Sequence, residues 1–254
     1  MNILAIETTG AEASVAVISE DGKVTMEASD QKLNHLQNLM PMVDRLLSKR
    51  GMTIDDMNYI AVSEGPGSFT GIRIGVSSAR ALAQALERDV ISVPTLKSFL
   101  YHVPEYRGVV CPIFDARRNQ VYGGAYQWTG QGQYREVVAG AAYDLRRFLE
   151  RLAEAVKTTG QDSETSKAGG VEITFFGDGI ASYRNQILTW QGSSYNNNIR
   201  VLFAEDGVKL QKASSVAKLA LELYRGGNIK SLYDLKPVYM RKAEAERKLE
   251  EKVK

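Results

Sequence analysis

One order of secondary-structure elements can be read twice along this chain of 254 residues, and that doubling leaves few folds open. The run Asn2–Glu7 has the pattern of a buried strand and ends at Thr8, Thr9 and Gly10. Strands at 13–19 and 23–29 follow, joined by Glu20-Asp21-Gly22. An Asp-Gly pair between two β-rich runs is a strong hairpin signal. Next comes a helix at 31–50, with Leu33, Leu36, Met40, Val43 and Leu47 near heptad spacing, stopped by Gly51. Pro41 inside it should kink the helix or divide it, because proline removes a backbone donor and clashes with the preceding turn. A strand at 59–64, a glycine-rich loop, a helix at 72–88, a strand at 90–93 and a helix from Thr95 complete the first half.

The second half spells β-β-β-α-β-α-β-α again. Strands are expected at 109–115, 120–127 and 135–139, then a helix at 144–157 with Leu145, Phe148, Leu149 and Leu152 on one face. A polar Gly- and Ser-rich stretch at 158–170 reads as a surface loop. A strand at 171–176, a helix near 180–189, a strand at 200–203 and a helix at 213–224 follow. This doubled α/β order resembles the actin-like/hexokinase (ASKHA) superfold. There, two lobes enclose a nucleotide cleft, with a phosphate-binding turn at the first hairpin of each lobe. The expected division is an N-terminal lobe at 1–103 and a C-terminal lobe at 104–235, whose last helix packs back on the first lobe or stays with its own. A charged tail at 236–254 follows, read as an exposed helix after Pro237.

Composition narrows the function classes. With 44% hydrophobic and 24% charged residues, a sizeable core can form. A net charge of +2 does not announce a nucleic-acid-binding protein. A single cysteine, Cys111, rules out an internal disulfide and suits a reducing compartment. No apolar run approaches the ~20 residues of a membrane span, and the start lacks a signal-peptide pattern. A cytoplasmic protein without membrane contact is expected.

The strongest local motif is Gly65-Pro66-Gly67-Ser68-Phe69-Thr70-Gly71, continued by Ile72-Arg73-Ile74-Gly75. A P-loop would need Gly-Lys-Ser/Thr where Gly71-Ile72-Arg73 stands, and the dinucleotide fingerprint fails at Thr70. The loop is either an anion cradle or a tight turn that brings the next helix close. The helix then carries small residues at every fourth position, Gly71, Gly75, Ala79 and Ala83. Such a ridge permits close helix approach, either to the chain's own sheet or to another chain. Leu36, Leu39, Met40, Val43, Leu46 and Leu47 spread around the preceding helix, which implies more than one partner surface. The expected association surface is therefore Leu36, Met40, Val43, Gly71, Gly75, Ala79 and Ala83.

Catalytic candidates are few. His35 has Leu39 four residues on, so no helical metal-binding pair exists there; His102 stands apart, and Cys111 lies in an apolar strand. No Gly-x-Ser-x-Gly elbow occurs. Of the turns that would hold phosphates, Glu7, Thr8 and Thr9 suit a Mg²⁺–phosphate contact. Asp115-Ala116-Arg117-Arg118 has Arg117 where an Asp-x-Gly turn would have its glycine, which restricts close backbone approach. Gly177 and Gly179 flank Asp178 where an adenosine-contacting turn belongs. A degenerate nucleotide site at Glu7, Thr8, Thr9, Asp115, Gly177 and Gly179 is the reading, with no cofactor required and residual nucleotide contact left open.

Ile3 to Thr9, His35 to Leu47, Glu64 to Gly75, Asp115 to Arg118 with Val121 and Tyr122, Gly177 to Gly179 and Pro237 to Arg241 together resemble the TsaB (YeaZ) family over nearly the whole chain. Glu7 stands where that family commonly has Asp, and the tail after Arg241 is longer and more charged. The resemblance implies a non-catalytic subunit of the machinery that places a threonylcarbamoyl group on N6 of adenosine 37, in tRNAs reading codons that begin with A. It implies a homodimer that binds a TsaD-like catalytic subunit through its first two helices. A TsaE-like ATPase joins the assembly, and tRNA is met through the complex, where Arg117, Arg118, Arg146 and Arg147 could touch it. The rival readings are an active ATP-dependent phosphotransferase or a glycoprotease-like enzyme of the same superfold.

Overall fold

Two five-stranded mixed sheets with the same internal order carry the chain, in a computed structural model that describes residues 1–29, 35–159, 170–193 and 198–241. The first comprises β1 (Asn2–Glu7), β2 (Ser14–Ser19), β3 (Val24–Ala28), β4 (Tyr59–Gly65) and β5 (Asp89–Pro94), in the order β3-β2-β1-β4-β5. The second comprises β6 (Val109–Asp115), β7 (Gln120–Gly130), β8 (Gln133–Asp144), β9 (Val171–Phe176) and β10 (Ile199–Phe203), in the order β8-β7-β6-β9-β10. In both, the first three strands pair antiparallel and the last two join in parallel. This is the two-lobed actin-like α/β architecture.

Helices cover both faces of the first sheet, which explains why β1 reads as an unbroken apolar run rather than an alternating one. Leu4, Ile6, Val15 and Val17 face α1 (His35–Lys49) and α2 (Phe69–Leu86). Ile3, Ala5, Ala16 and Ile18 face Ala213, Val216, Ala217 and Ala220 of α7 (Ala213–Arg225). The last helix thus packs on the sheet of the first half, although it follows β10 in sequence. Short helices α3 (Thr95–Ser98) and α6 (Asp206–Lys209) complete the set with α4 (Leu145–Thr159) and α5 (Gly179–Gln191). Leu96, Phe99 and Leu100 from the first half meet Val110, Phe114, Tyr126 and Phe176 from the second in one apolar cluster.

Three expectations change. Helix α1 runs undivided across Pro41. Gln37, whose carbonyl loses its donor, is exposed together with Pro41, so water can satisfy it. The second hairpin is longer than expected. Strands β7 and β8 extend to a turn at Gly130, Gln131 and Gly132, all with positive φ. Its outer ends carry exposed polar residues that hydrophobic alternation does not reveal. Residues 236–241 are not helical. They run across the molecule, where the Val238 N–H donates to the Glu64 carbonyl (2.8 Å), Met240 joins the apolar cluster, and Arg241 Nη1 donates to the Ala116 carbonyl (2.7 Å). Residues 160–169 of the expected surface loop, and the tail after Arg241, lie outside the described residues.

Candidate functional site

The residues expected to hold a nucleotide form two joints, one per lobe, each fastening the end of a first strand to the start of a helix. In the first lobe β4 delivers Gly65-Pro66-Gly67-Ser68 to the start of α2. Ser68 caps that helix by accepting from the Gly71 N–H (3.3 Å), and its own N–H donates to the Thr9 carbonyl (2.8 Å). A Cβ on Gly71 would overlap the Thr8 carbonyl oxygen, and one on Gly75 would overlap Thr8 Oγ1. Thr8 Oγ1 donates to the Gly71 carbonyl (2.8 Å), closing the joint from the other side. Those glycines therefore exist so that α2 can sit directly on the strand end.

Glu7 lies wholly inside this joint. Its carboxylate accepts from the Thr9 N–H (2.5 Å), Thr9 Oγ1 (2.6 Å) and Ser63 Oγ. Burial pushes the Glu7 carboxyl above its ordinary range, against the lowering by its three donors.

In the second lobe Asp178 takes the place of Ser68. Its Oδ1 accepts from the Asp115 N–H (3.1 Å). Gly177 has φ +93, and a Cβ there would overlap the Ile113 carbonyl oxygen; a Cβ on Gly179 would lie 2.9 Å from the same atom. Asp115 is only partly buried, and it accepts from the Arg117 N–H (2.8 Å), Tyr183 Oη (2.9 Å) and Ser182 Oγ (3.0 Å). Burial pushes its carboxyl up, but those donors and the Arg117 charge outweigh it, so Asp115 sits below its ordinary range. Burial and the Asp115 carboxylate push Tyr183 up to about 12, and burial raises Asp178.

These contacts engage the groups expected to meet a nucleotide. The Glu7 carboxylate and the hydroxyls of Thr8 and Thr9 are committed to the joint, leaving no open oxygen set for a Mg²⁺–phosphate group. Gly177 and Gly179 lie against Ile113. His102 and Cys111 are engaged likewise. His102 Nδ1 meets the Val208 carbonyl at 2.6 Å and its ring stacks on Phe99, with burial lowering it to about 4. Cys111 is buried, which pushes its thiol up. No group of three His, Cys, Asp or Glu residues suited to a metal occurs among the described residues.

The expected association residues separate into two sets. Ala79 and Ala83 are fully buried and Val43 nearly so, all in the core beneath the first sheet, and Gly71 and Gly75 abut Thr8. The small ridge packs on the chain's own sheet, which corrects the intermolecular expectation for these five. Met40 is 39% exposed, and the Leu36 side chain lies outside the described residues. The outer face of α2 instead presents Arg73, Ser77 and Ala81. Its start carries exposed Phe69, stacked on Tyr239 (4.8 Å) with the Arg73 guanidinium 4.0 Å over the Phe69 ring. The sequence reading missed Ser63, Asp178 and Tyr239. Asp178 had a signal, following a glycine just ahead of a helix as Ser68 does.

The chain is 38% identical over 154 residues to the tRNA threonylcarbamoyladenosine biosynthesis protein TsaB of Bacillus subtilis, covering 61% of this chain and 67% of that one. It is 29% identical over 252 residues to the TsaB of Escherichia coli, covering 98% of both. The chain belongs to the TsaB (YeaZ) family. It also matches, over residues 26–249, the model of the family described as "TsaD: tRNA N6-adenosine threonylcarbamoyltransferase". Among solved structures, YeaZ from Pseudomonas aeruginosa superposes with a TM-score of 0.71 at 26% identity, over 94% of this chain and 99% of that one. The TsaB likeness thus extends through both lobes. No helix among the described residues is long and apolar enough to cross a membrane.

Proposed function

We propose that this chain is a non-catalytic subunit in the cytoplasmic machinery that adds a threonylcarbamoyl group to N6 of adenosine 37 in tRNAs reading codons that start with A. The observation that carries the reading is the end-to-end match to a TsaB, which covers 98% of both chains. The engagement of Glu7 and Asp115 by hydrogen bonds within their own lobes supports a partner role over independent phosphoryl transfer. The chain forms a homodimer and binds a TsaD-like catalytic subunit, with a TsaE-like ATPase completing the assembly. The surface for association is the outward side of α1 and α2, with Met40, Phe69, Arg73, Ser77 and Ala81.

The test is depletion of the protein, followed by nucleoside mass spectrometry of bulk tRNA. Threonylcarbamoyladenosine is expected to fall and to return on complementation with the wild-type chain. Unchanged modification after depletion would overturn the reading. The rival phosphotransferase or protease reading expects ATP turnover or peptide cleavage by the isolated chain.

A further inference from the structure

The turn joining β6 to β7 holds Arg117, Arg118 and Asn119 all in the left-handed region, with φ of 63, 54 and 59. Left-handed backbone costs an L-residue ~1–2 kcal/mol, and runs of it without glycine are rare. Such strain persists only where the surroundings impose it, and it concentrates at functional positions. Here the surroundings do impose it. The Ala116 N–H donates to the Gln120 carbonyl (3.0 Å), the Gln120 N–H to the Arg117 carbonyl (3.1 Å) and the Leu145 N–H to the Asn119 carbonyl (3.0 Å). The Arg117 N–H is held by Asp115, and Arg241 from the crossing segment holds the Ala116 carbonyl.

The bond from Leu145 also fixes a neighbour. It seats the start of α4 beside the turn, and the pairing of Gln120 with Asp144 does the same from the sheet. Arg146 and Arg147 in that first helical turn are exposed, as are Arg117 and Arg118. One turn further on, Arg151 lies 5.4 Å over the Tyr143 ring.

The carboxylates at this end are already engaged. Asp115 has its three donors. Asp144 caps α4, accepting from the N–H groups of Arg146 (3.1 Å) and Arg147 (3.4 Å), so the helix start itself offers little to an anion. Glu150 pairs with Arg146 (2.8 Å), an exposed pair worth little. Arg117, Arg118, Arg146, Arg147 and Arg151 therefore share one end of the second sheet with Arg241, and the nearby carboxylates of Asp115, Asp144, Glu150 and Asp178 all have partners. Guanidinium is the side chain best matched to phosphate oxygens. Spread over a turn and a helix start, these groups match an extended row of phosphates better than a single one.

We infer that the 116–119 turn and the first turn of α4 form a contact for the phosphate backbone of a structured RNA. This rests on the proposed role in tRNA modification and identifies how the chain itself would touch that substrate.

The test measures binding of an unmodified tRNA transcript to the full chain by fluorescence anisotropy across a KCl series. Replacing Arg117, Arg118, Arg146 and Arg147 by Gln should weaken binding about tenfold or more at low salt. It should also lower the log–log salt slope by about 2–4, since each phosphate contact contributes ~0.7–0.9. The double variant R146Q/R147Q leaves the strained turn untouched and should lose about half of that slope. A control that removes the same charge elsewhere, R45Q/K49Q/R200Q/R225Q, should keep the wild-type slope more closely.

Three results would overturn the inference: no binding by the wild-type chain at low salt, an unchanged slope in the quadruple variant, or an equal loss in the control. Competition by polyglutamate as effective as by tRNA would mark an acidic protein surface instead, and would also overturn it. Complementation of the depleted strain separates the two readings. Restored modification by the wild-type chain, with arginine-independent binding, defeats only this inference. No restoration defeats the role itself.

Discussion

The first-strand ends of the two lobes perform one mechanical task with opposite electrostatics. At each, a strand end is pressed against a helix start through glycines that cannot carry a Cβ. In the first lobe the acid at the strand end, Glu7, is sealed in and its carboxyl is raised. In the second, Asp115 is partly open and its carboxyl is lowered. The turn after Glu7 continues through hydroxyls and glycine to Glu12, whereas the turn after Asp115 continues through two arginines held in strained backbone. The two lobes thus share the joint and differ at its rim. In the first the hydroxyls of Thr8 and Thr9 are buried, whereas in the second Arg117 and Arg118 are exposed.

The largest effects are expected where both joints do the same thing. Gly71→Ala and Gly177→Ala each drive a methyl into a backbone carbonyl oxygen, and Gly177 also holds φ +93. Each should destabilise the fold by about 3 kcal/mol or more, since the obstacle is backbone and cannot rotate away. For a chain of this size that is a fall in Tm of roughly 6–12 °C, read by circular dichroism. Gly10→Ala is the foil, because its Cβ would meet only the end of the Gln211 side chain at 3.0 Å. A Gly177→Ala protein as stable as wild type would show that the second joint is loose, and the mechanical equivalence would fail.

The next effect separates the lobes by pH. Glu7 has a folded value above its ordinary 4.5, so its contribution to stability is present below that pH and is lost as pH rises through the folded value. Asp115 has a folded value below its ordinary 3.8. Its contribution is present above 3.8 and is lost as pH falls through the folded value. Urea unfolding of Glu7→Gln and Asp115→Asn across the acid range reads both signs. Relative to wild type, Glu7→Gln should gain stability as pH rises. Asp115→Asn should be the less stable protein at neutral pH, with the gap closing toward low pH. Slopes of the same sign would break the contrast.

Much of this was legible in the sequence, for identifiable reasons. The doubled strand and helix order follows from apolar runs punctuated by Asp-Gly, Gly-rich and polar turns, and each lobe reproduces it. The 65–75 segment was recognisable as a tight joint or an anion loop, but which of the two depends on what lies opposite. That is Thr8, more than sixty residues away. The same limit applied to the small ridge, because Gly71, Gly75, Ala79 and Ala83 fit any close neighbour. The fate of 236–241 was hidden for another reason. A charged stretch after proline has the composition of an exposed helix, and only tertiary contacts with Glu64, Phe69, Arg73 and Ala116 draw it across the molecule.

The smallest expected effect on stability concerns the two sides of α2, and it sharpens the question of which face the first lobe uses for association. Ala79 is fully buried against the sheet, and Ala81, two residues on, is exposed on the opposite side. A helix advances about 100° per residue, so neighbours two apart point roughly 200° from each other. Ala79→Leu adds volume to a packed core and should cost about 1–3 kcal/mol. Ala81→Glu adds an exposed side chain to a helix and should change stability by less than about 0.5 kcal/mol. If the outward side of α1 and α2 is the association surface, the same Ala81→Glu change places a charge inside an interface where close helix approach is required. Dimerisation should then weaken by about tenfold or more in sedimentation equilibrium, with the circular dichroism melting curve unmoved. A folded Ala81→Glu protein that dimerises like wild type would remove α2 from the association surface. The first lobe would then have to use another face, beginning with the exposed Met40 on α1.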